Sequence, residues 1–318
     1  MAMTAPQPMR RRIVISEFMD AAAVQALRDA FDVVYDPDLV DRPAELAGAL
    51  RDADALIVRN RTQVNGELLA GATGLVAVGR LGVGLENIDQ AYCGSRSIAV
   101  LPAVGANAAA VAEYVVGLAM VLLRGFLFSS EEVAAGGWPR ARLASGREIA
   151  GKAIGLAGYG SVGQRVGELA RAVGMRVLAY DPVLPPTHPA WRDTARCEEL
   201  DDLFRQADVV SLHMPYTPQN AGLVDDRRLG LMKPGSVLVN TARGGIVDEP
   251  ALARALRSGA LGAAAVDVFA REPLPPGSAL AGCPNLFLTP HVAGVTHESN
   301  ERVSALIAQR IAEILRRA

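Results

Sequence analysis

The chain has 318 residues, of which 50% are hydrophobic and 21% are charged, and this composition excludes a largely disordered or fibrous protein. Lysine and arginine number 32 against 34 aspartate and glutamate residues, a formal net charge of −2, which argues against a nucleic-acid partner and favours a small-molecule partner. The length predicts two domains of ordinary size.

Cysteine usage and hydropathy predict the cellular location of the protein. Cys93, Cys197 and Cys283 are far apart and form no CxxC pattern, so neither a disulfide framework nor a zinc site is expected. We therefore expect no metal and a reducing, cytoplasmic location. Residues 1–9 lack an apolar signal core, and no apolar stretch approaches the ~20 residues that span a bilayer, so no membrane association is expected.

The first third of the chain alternates short apolar runs with segments of helical period. This alternation predicts βαβ units and a parallel sheet. The predicted strands are Arg12–Ser16, Asp32–Tyr35, Ala55–Val58 and Leu75–Val78, and the predicted helices are Ala21–Phe31 and Ala44–Leu50.

A long apolar helix is predicted from Asn107 to Arg124, and after Gly151 the alternation begins again. The second half therefore predicts another doubly wound unit. Its predicted strands are Ala153–Ala157, Arg176–Tyr180, Val209–Leu212, Ser236–Asn240, Ala263–Val268 and Leu286–Leu288.

Gly158, Gly160 and Gly163 form a G-x-G-x-x-G motif after the strand Ala153–Ala157 and at the start of a helical pattern. In such a loop the glycines permit a tight turn, a close approach to a pyrophosphate and close helix packing, and the helix N-terminus faces the negative charge. Asp181 ends the next strand, 18 residues beyond Gly163, where a carboxylate can accept both ribose hydroxyls and repel a 2′-phosphate. The motif predicts NAD rather than NADP; the alternative is that the glycines only shape a turn.

Three further segments place polar and charged side chains at the ends of predicted strands: Asn240–Gly245, Asp267–Pro273 and Thr289–Gly294. Because the carboxyl ends of strands line the ligand crevice of an open α/β sheet, these segments should converge near the nicotinamide. Taken singly, each has an ordinary structural explanation, since an arginine is usually a surface cation and a histidine more often completes a hydrogen bond than acts as a base.

Seven segments occur together in one order along nearly the whole chain. They are Gly79–Gly84, Gly158–Gly163, Leu212–Pro215, Met232–Gly235, Asn240–Glu249, Asp267–Pro273 and Thr289–His291. In this order they resemble the D-isomer-specific 2-hydroxyacid dehydrogenases, the phosphoglycerate dehydrogenase-like family. The resemblance implies an α/β fold of two doubly wound parallel-sheet domains. In it a Rossmann NAD-binding domain, residues 104–290, is inserted into a flavodoxin-like substrate domain, residues 1–103 and 291–318.

The resemblance also implies an active NAD-dependent oxidoreductase with a catalytic set of Arg243, Glu272 and His291. Backbone amides at Val83 and Gly84 would help to hold the substrate carboxylate, and Asp267 would lie beside the nicotinamide carboxamide. The implied cofactor-binding residues are Gly158, Tyr159, Gly160, Ser161, Val162, Gly163, Asp181, His213, Pro215, Thr241, Ala242, Asp267 and Gly294.

The residue types suit those roles. Arg243 offers a planar fork of donors that can pair with a carboxylate and polarise the neighbouring keto oxygen. His291 can accept the hydroxyl proton as the alcohol is oxidised and return it in the reduction. Glu272, if hydrogen-bonded to that imidazole, would orient the ring and favour its protonated form.

Within the family the sequence most resembles the sulfolactate dehydrogenases. Arg59, Arg61 and Arg80 follow strands of the first domain, where a second anionic group of the substrate would need such donors; the alternative is that Arg59 and Arg61 only make structural hydrogen bonds. The expected substrate is a 2-hydroxy acid with a second anion, with 3-phosphoglycerate or glycerate/hydroxypyruvate as alternatives. The segments that carry this likeness are Ser16–Asp20, Val58–Thr62, Gly79–Asp89 and Gly294–Arg302.

Two other functions share this fold. An NAD-sensing corepressor-like binding protein is one, because fold alone does not determine function. The other is an enzyme that uses a one-carbon or inorganic donor, such as formate. The resemblance further suggests a homodimer built on the cofactor domain.

Overall fold

The computed structural model describes residues 10–317; residues 1–9, where no signal sequence is expected, lie outside that part. The chain forms two compact units. The first consists of the described residues up to Asn107 together with those from Val295 onward, and the second is Ala108–Gly294. The second unit thus interrupts the first along the sequence.

Twelve β-strands occur in the described residues, and each is between two and five residues long. Several of them, including β3 and β6 below, are buried along their whole length, as expected for parallel strands that are covered on both faces. The strands are β1 (Arg12–Ile15), β2 (Asp32–Tyr35), β3 (Ala55–Val58), β4 (Ala77–Arg80), β5 (Ala99–Pro102), β6 (Ala153–Ala157), β7 (Arg176–Tyr180), β8 (Ala195–Arg196), β9 (Val209–Leu212), β10 (Val237–Asn240), β11 (Ala263–Val266) and β12 (Leu286–Leu288).

Twelve α-helices connect these strands in the same part of the chain, with short 3₁₀ turns at Leu39–Asp41, Leu127–Ser129, Pro189–Trp191 and Pro218–Asn220. The helices are α1 (Ala21–Arg28), α2 (Pro43–Ala49), α3 (Gly66–Leu69), α4 (Gln90–Ser95), α5 (Ala108–Arg124), α6 (Ser130–Ala134), α7 (Arg140–Leu143), α8 (Ser161–Ala172), α9 (Leu200–Gln206), α10 (Asp226–Leu229), α11 (Glu249–Arg257) and α12 (His297–Arg317).

The first unit contains a five-stranded parallel sheet in the order β2-β1-β3-β4-β5, which is the flavodoxin-like order. Alternate residues of each strand enter opposite cores. In β1, for example, Ile13 and Ile15 join the core beneath α1 and α12, while Val14 joins the core on the other face. The predicted doubly wound sheet is confirmed.

The second unit contains a seven-stranded parallel sheet in the order β12-β11-β10-β9-β6-β7-β8. The order reverses beside β6, which is the topological switch point where Rossmann sheets bind their ligand. Ala153 and Ala157 of β6 face one core while Ile154 and Leu156 face the other. The prediction of a second doubly wound sheet is also confirmed.

An aspartate holds the start of one central strand in each sheet. Asp54 accepts from the backbone amide of Arg12 at 2.7 Å, and Asp208 accepts from that of Ala153 at 2.9 Å. Asp208 also accepts from the guanidinium of Arg147 at 2.6 Å. The short Ala-Asp sequence before β3 and before β9 therefore reflects the same structural role in both sheets.

The strand predictions were wrong in detail in the first sheet. The predicted strand Leu75–Val78 is observed as Ala77–Arg80, because the strand continues through Gly79, where a Cβ would lie 2.6 Å from Ile307 of α12. A search for hydrophobic periodicity overlooks a strand residue that is glycine because a helix packs against it. The edge strand β5 was missed because it is only half-buried and ends in Pro102, a residue that sheets tolerate at edges.

No single helix in residues 10–317 is both long and apolar enough to cross a membrane. The helix α5 reaches the length and apolar composition of a membrane span only when the segment Leu127–Ala134 is added to it, and the two are bent by 59°. Most apolar side chains of α5 belong to a core of the second unit.

Candidate active site

The glycine loop joins β6 to α8, and the space around the Cβ position differs among its three glycines. Gly158 has a φ of +96°, and a Cβ there would lie 2.6 Å from the carbonyl oxygen of His213. A Cβ at Gly163 would lie 2.4 Å from the carbonyl oxygen of Gly158, whereas nothing lies within 4 Å of the Cβ position of Gly160. The turn, the close helix contact and the open approach that the motif predicts are therefore all present.

The start of α8 is suited to an anion. Its N-cap is Gly160, which provides no side chain to accept from the amides of the first turn. Those amides, beginning with Ser161 and Val162, lie at the positive end of the helix dipole. A pyrophosphate is the ligand that such a helix start binds.

The carboxylate of Asp181 fixes the end of β7 against the glycine loop. Its Oδ2 accepts from the backbone amide of Tyr159 at 2.8 Å, and its Oδ1 accepts from the amides of Val183 and Leu184 at 2.9 and 3.0 Å. A carboxylate has about four acceptor positions, so these bonds leave about one for a ribose hydroxyl.

Tyr159 directs its side chain into the protein. It is 1% exposed, it stacks on Trp191 with 5.1 Å between ring centroids, and its hydroxyl lies 2.6 Å from that of Thr194. Its amide already donates to Asp181. The ring of Tyr159 therefore packs inside the protein beneath the glycine loop, 3.5 Å from the Cβ position of Gly163.

His213 follows β9 and is held as a neutral imidazole. Its Nε2 lies 2.9 Å from the hydroxyl of the buried Ser211, and its backbone amide donates to Ala157 at 2.7 Å. Burial lowers the pKa of His213 to about 3. Pro215, two residues on, is exposed beside the half-exposed ring of Tyr216.

The turn that carries Arg243 is built by Asn240, the last residue of β10. Its side chain accepts from the amide of Ala242 at 3.1 Å and donates to the carbonyl of Arg243 at 3.2 Å. The Arg243 guanidinium donates to the carbonyl of Ala242 at 2.6 Å. Thr241 lies in the same turn, and its Oγ1 is buried with no hydrogen-bond partner among the described residues.

Gly244 allows the Arg243 turn to approach the next loop. A Cβ on Gly244 would lie 1.8 Å from the carbonyl oxygen of Phe269 and 2.6 Å from the amide nitrogen of Ala270. The amide of Phe269 in turn donates to Oε1 of Glu272 at 3.0 Å. The absence of a side chain at Gly244 therefore brings the arginine and the glutamate loops together.

We expect the substitution Gly244→Ala to lower kcat by about 10²-fold, because displacing a reacting group by about 1 Å has an effect of that size. The added methyl group meets backbone atoms, so one of the two loops must move. Steady-state kinetics measures the effect, and thermal unfolding shows that the variant is folded. Gly48→Ala is the matched control, since nothing lies within 4 Å of the Cβ position of Gly48. Unchanged kcat in Gly244→Ala would show that the loop contact does not position the site.

His291 and Glu272 form a direct pair. Nδ1 of His291 lies 2.8 Å from Oε2 of Glu272, and the imidazole is 49% exposed. His291 has a φ of +56°, in the left-handed region that side chains other than glycine seldom adopt and that is common at functional sites. Its amide donates to the carbonyl of Asp267 at 2.8 Å. The pair fixes the ring through Nδ1, while about half of the side-chain surface stays exposed.

Asp267 is 1% exposed and organises the loop that carries His291. Its Oδ1 accepts from Thr289 Oγ1 at 2.5 Å and from the amide of Val292 at 2.8 Å, and its Oδ2 accepts from the amide of Ala293 at 2.9 Å. Gly294, which follows Ala293, is the last residue of the second unit. Most acceptor positions of Asp267 are therefore used by its own loop.

In the first unit, the loop after β3 surrounds a buried carboxylate. Glu17 is 4% exposed and accepts from four successive backbone amides, from Arg59 to Thr62, at 2.8 to 3.2 Å. These bonds keep the pKa of Glu17 below its usual value although burial acts to raise it. The backbone amides of this loop are thus occupied, and only its side chains remain for a ligand.

The two arginines of that loop have different surroundings. The guanidinium of Arg59 donates to Asn300 Oδ1 at 2.9 Å and lies 5.9 Å from the centre of the Phe18 ring. Burial is the main cause that lowers the pKa of Arg59. Arg61 instead forms an exposed ion pair with Asp41. The alternative that these arginines serve only structural contacts therefore fits Arg61 better than Arg59.

Arg80 ends β4, and its Nη1 donates to the carbonyl of Leu81 at 3.2 Å. A Cβ on Gly82 would lie 1.5 Å from that nitrogen, so Gly82 provides the space in which the guanidinium lies. Val83 is exposed and Gly84 is buried.

The residues of the second unit fit NAD. The pyrophosphate is suited by the open space above Gly160 and by the uncapped start of α8. The adenosine ribose is suited by the acceptor at Asp181. The buried hydroxyl of Thr241, with no partner in the described part of the chain, is a polar group that a ligand would satisfy. Thr241 is one of the cofactor-binding residues that the family resemblance implies. Gly244 could not be singled out by residue type, because its contact with Phe269 appears only in the fold.

Three segments distant in sequence meet at one place. Gly244 contacts Phe269, the Phe269 amide binds Glu272, and Glu272 binds His291. The second unit therefore holds an arginine turn, a carboxylate and an imidazole next to one another, as expected from the carboxyl ends of β10, β11 and β12.

Comparison with known proteins identifies similar sequences. Residues 116–293 match the family D-isomer specific 2-hydroxyacid dehydrogenase, NAD binding domain. The chain is 49% identical over 303 residues to (S)-sulfolactate dehydrogenase from Chromohalobacter salexigens, with 95% of this chain and 98% of that protein covered. It is 38% identical over 301 residues to D-3-phosphoglycerate dehydrogenase from Mycobacterium leprae, covering 94% of this chain and 56% of that protein. The chain thus spans about half the length of that second relative.

Solved structures show the same fold. The NAD⁺-bound 3-phosphoglycerate dehydrogenase of Entamoeba histolytica superimposes with a TM-score of 0.76 at 27% identity, covering 96% of this chain and 95% of that one. A glyoxylate reductase from Paecilomyes thermophila superimposes with a TM-score of 0.84 at 26% identity, covering 97% and 96%. The similarity therefore extends over both units.

Proposed function

The chain belongs to the D-isomer specific 2-hydroxyacid dehydrogenase family and is an NAD-dependent 2-hydroxyacid dehydrogenase, and from this premise we propose that its substrate carries a second anionic group, as sulfolactate does. The single observation that carries the proposal is the half-buried guanidinium of Arg59, which Asn300 and Phe18 hold in place. The 49% identity to a sulfolactate dehydrogenase supports it.

We further propose roles for the residues of the second unit. Arg243 pairs with the substrate carboxylate and polarises the oxygen on C2, which its planar fork of donors suits. His291 takes the hydroxyl proton during oxidation and returns it during reduction. Glu272 orients the ring through Nδ1. Bound NAD supplies the hydride acceptor. The substrate domain is proposed as the first unit, where amides at Val83 and Gly84 would hold the carboxylate.

Arg59 is the proposed donor to the distal anion. One of the five N–H donors of a guanidinium goes to the neutral side chain of Asn300, and the buried carboxylate of Glu17 also acts electrostatically on Arg59. Arg61 contributes less in this proposal, since Asp41 already neutralises it at the surface. Arg80, placed by Gly82, is a second candidate donor.

The test is a panel of 2-hydroxy acids with NAD, followed by NADH absorbance, with NADP as the cofactor control. We expect kcat/KM for sulfolactate to exceed that for lactate and glycerate, with 3-phosphoglycerate as the competing dianion. Arg59→Gln should lower kcat/KM for the preferred dianion by about 10- to 100-fold, the effect of losing a charge-assisted hydrogen bond, and leave lactate nearly unchanged. Arg61→Gln is the matched control. Equal rates for all acids would reject a distal anion site.

We also propose a cytoplasmic homodimer built on the second unit. The support is a group of exposed apolar side chains between α5 and β6, of which Trp138 is 78% exposed and Phe126 and Phe128 are about half exposed. Exposed apolar groups of this kind commonly mark a protein interface. Sedimentation of wild type and Trp138→Glu measures the assembly: a wild-type monomer would reject the dimer, and a wild-type dimer that the substitution leaves intact would reject this surface.

A further inference from the structure

Three side chains form a hydrogen-bonded series that runs from α5 to the loop of His291. Tyr114 Oη lies 2.5 Å from Thr289 Oγ1, and Thr289 Oγ1 donates to Asp267 Oδ1 at 2.5 Å. Asp267 in turn accepts from the amides of Val292 and Ala293. These two residues lie between His291 and Gly294 in the chain. All of these residues belong to the second unit.

The direction of the hydrogen bonds follows from the number of protons. A threonine hydroxyl has one proton to donate, and Thr289 gives it to Asp267. Tyr114 must therefore be the donor to Thr289. Burial, the largest cause, raises the pKa of Tyr114, so the phenol keeps the proton that this bond needs.

We propose that Tyr114 is a positioning residue for His291, acting through Thr289 and Asp267. The inference rests on the proposed role of His291 as the proton carrier. The phenol holds the Thr289 hydroxyl in the orientation that binds Asp267, and Asp267 holds the amides on the far side of His291. The left-handed backbone of His291, with its φ of +56°, needs such restraint from both sides. Tyr114 touches neither substrate nor NAD in this arrangement.

The position of Tyr114 explains why a tyrosine serves here. Its ring packs with the apolar core that α5 shares with β6 and β10, which fixes the hydroxyl as a rigid donor. A phenylalanine would keep that packing and remove only the donor. The effect of Tyr114→Phe is therefore an effect on the hydrogen-bonded series and not on the core.

The test is a double-mutant cycle of Tyr114→Phe and Thr289→Val on the full chain. We expect Tyr114→Phe to lower kcat by about 2- to 10-fold, the range for one hydrogen bond, without changing KM for NAD. Thr289→Val should lower kcat further, Thr289→Ser should retain activity, and Tyr114→Phe should have no added effect in the Thr289→Val background. Tyr92→Phe is the matched control, because within residues 10–317 that hydroxyl has a single long contact, 3.5 Å from Arg96.

Hydrogen exchange of residues 289–294 provides a readout that does not depend on turnover. We expect faster exchange in Tyr114→Phe and Thr289→Val and wild-type exchange in Thr289→Ser. Additive effects on kcat, or unchanged exchange in Tyr114→Phe, would overturn the proposal. Faster exchange with unchanged kcat would show that the series orders the loop without serving catalysis, and would also overturn the proposal. The role of His291 itself is overturned only by near-normal turnover in His291→Ala, so the two failures are distinguishable.

Discussion

The substitution His291→Ala is expected to lower kcat by at least about 10²-fold, the usual effect of losing a general acid or base. His291 is the imidazole that Glu272 holds at 2.8 Å, and its ring is half exposed, so it can exchange a proton with a ligand. The affinity for NAD should stay close to that of wild type, because the glycine loop and Asp181 are unaffected. Stopped-flow NADH absorbance measures the first quantity, and fluorescence titration with NAD measures the second.

Two of the other histidines, His297 and His213, serve for comparison with His291. His297 is 83% exposed and pairs with Glu301, so His297→Ala should retain wild-type turnover. His213 stays neutral because burial lowers its pKa to about 3, so it cannot supply a proton near neutral pH. If His291→Ala keeps near-normal turnover, the proton carrier is another group and the assignment is wrong.

Glu272→Gln separates orientation from charge. The glutamine oxygen can still accept from Nδ1 of His291, while the negative charge beside the ring is lost. We expect a loss of kcat of about tenfold, smaller than that of His291→Ala, because the ring remains oriented and only the negative charge beside it is lost. A loss as large as that of His291→Ala would mean that the charge, and not the orientation, is the larger contribution of Glu272.

The parts of the fold that could be predicted from sequence are those set by local patterns. Apolar runs bounded by turn residues predicted both sheets, and the spacing of Gly158, Gly160 and Gly163 predicted the position of the cofactor loop. The parts that could not be predicted depend on contacts between distant residues. Gly244 is a glycine because Phe269 lies against it, and no pattern in the neighbouring sequence indicates that contact.

The arginines of the first unit illustrate the same limit. Arg59 and Arg61 are two residues apart in one loop and look equivalent in sequence. The fold separates them, because Asp41 faces Arg61 whereas Asn300 and Phe18 face Arg59. The choice between a structural and a ligand-binding arginine thus depends on partners that lie far along the chain.

Replacement of Arg243 by alanine is expected to lower kcat/KM by about 10²- to 10³-fold, the effect of removing one preorganised donor from a developing oxyanion. Arg243 is preorganised because Asn240 binds the turn on both sides and Gly244 sets its distance from Phe269. Arg243→Lys keeps the charge but not the planar fork of donors. We therefore expect Arg243→Lys to lose at least about tenfold, and steady-state kinetics in both directions measures both variants.

Rescue by guanidinium ion distinguishes a donor from a structural residue. If Arg243 acts through its guanidinium, added guanidinium should restore part of the turnover of Arg243→Ala, since the cavity left by the side chain can admit the free ion. Arg254→Ala is the matched control, because Arg254 forms an exposed ion pair with Asp226 and its loss should affect neither turnover nor rescue. Wild-type turnover in Arg243→Lys would show that a point charge suffices and that the fork geometry held by Asn240 is not needed for catalysis. A loss in Arg243→Ala that guanidinium cannot restore, accompanied by a lower melting temperature, would assign Arg243 to the stability of the turn.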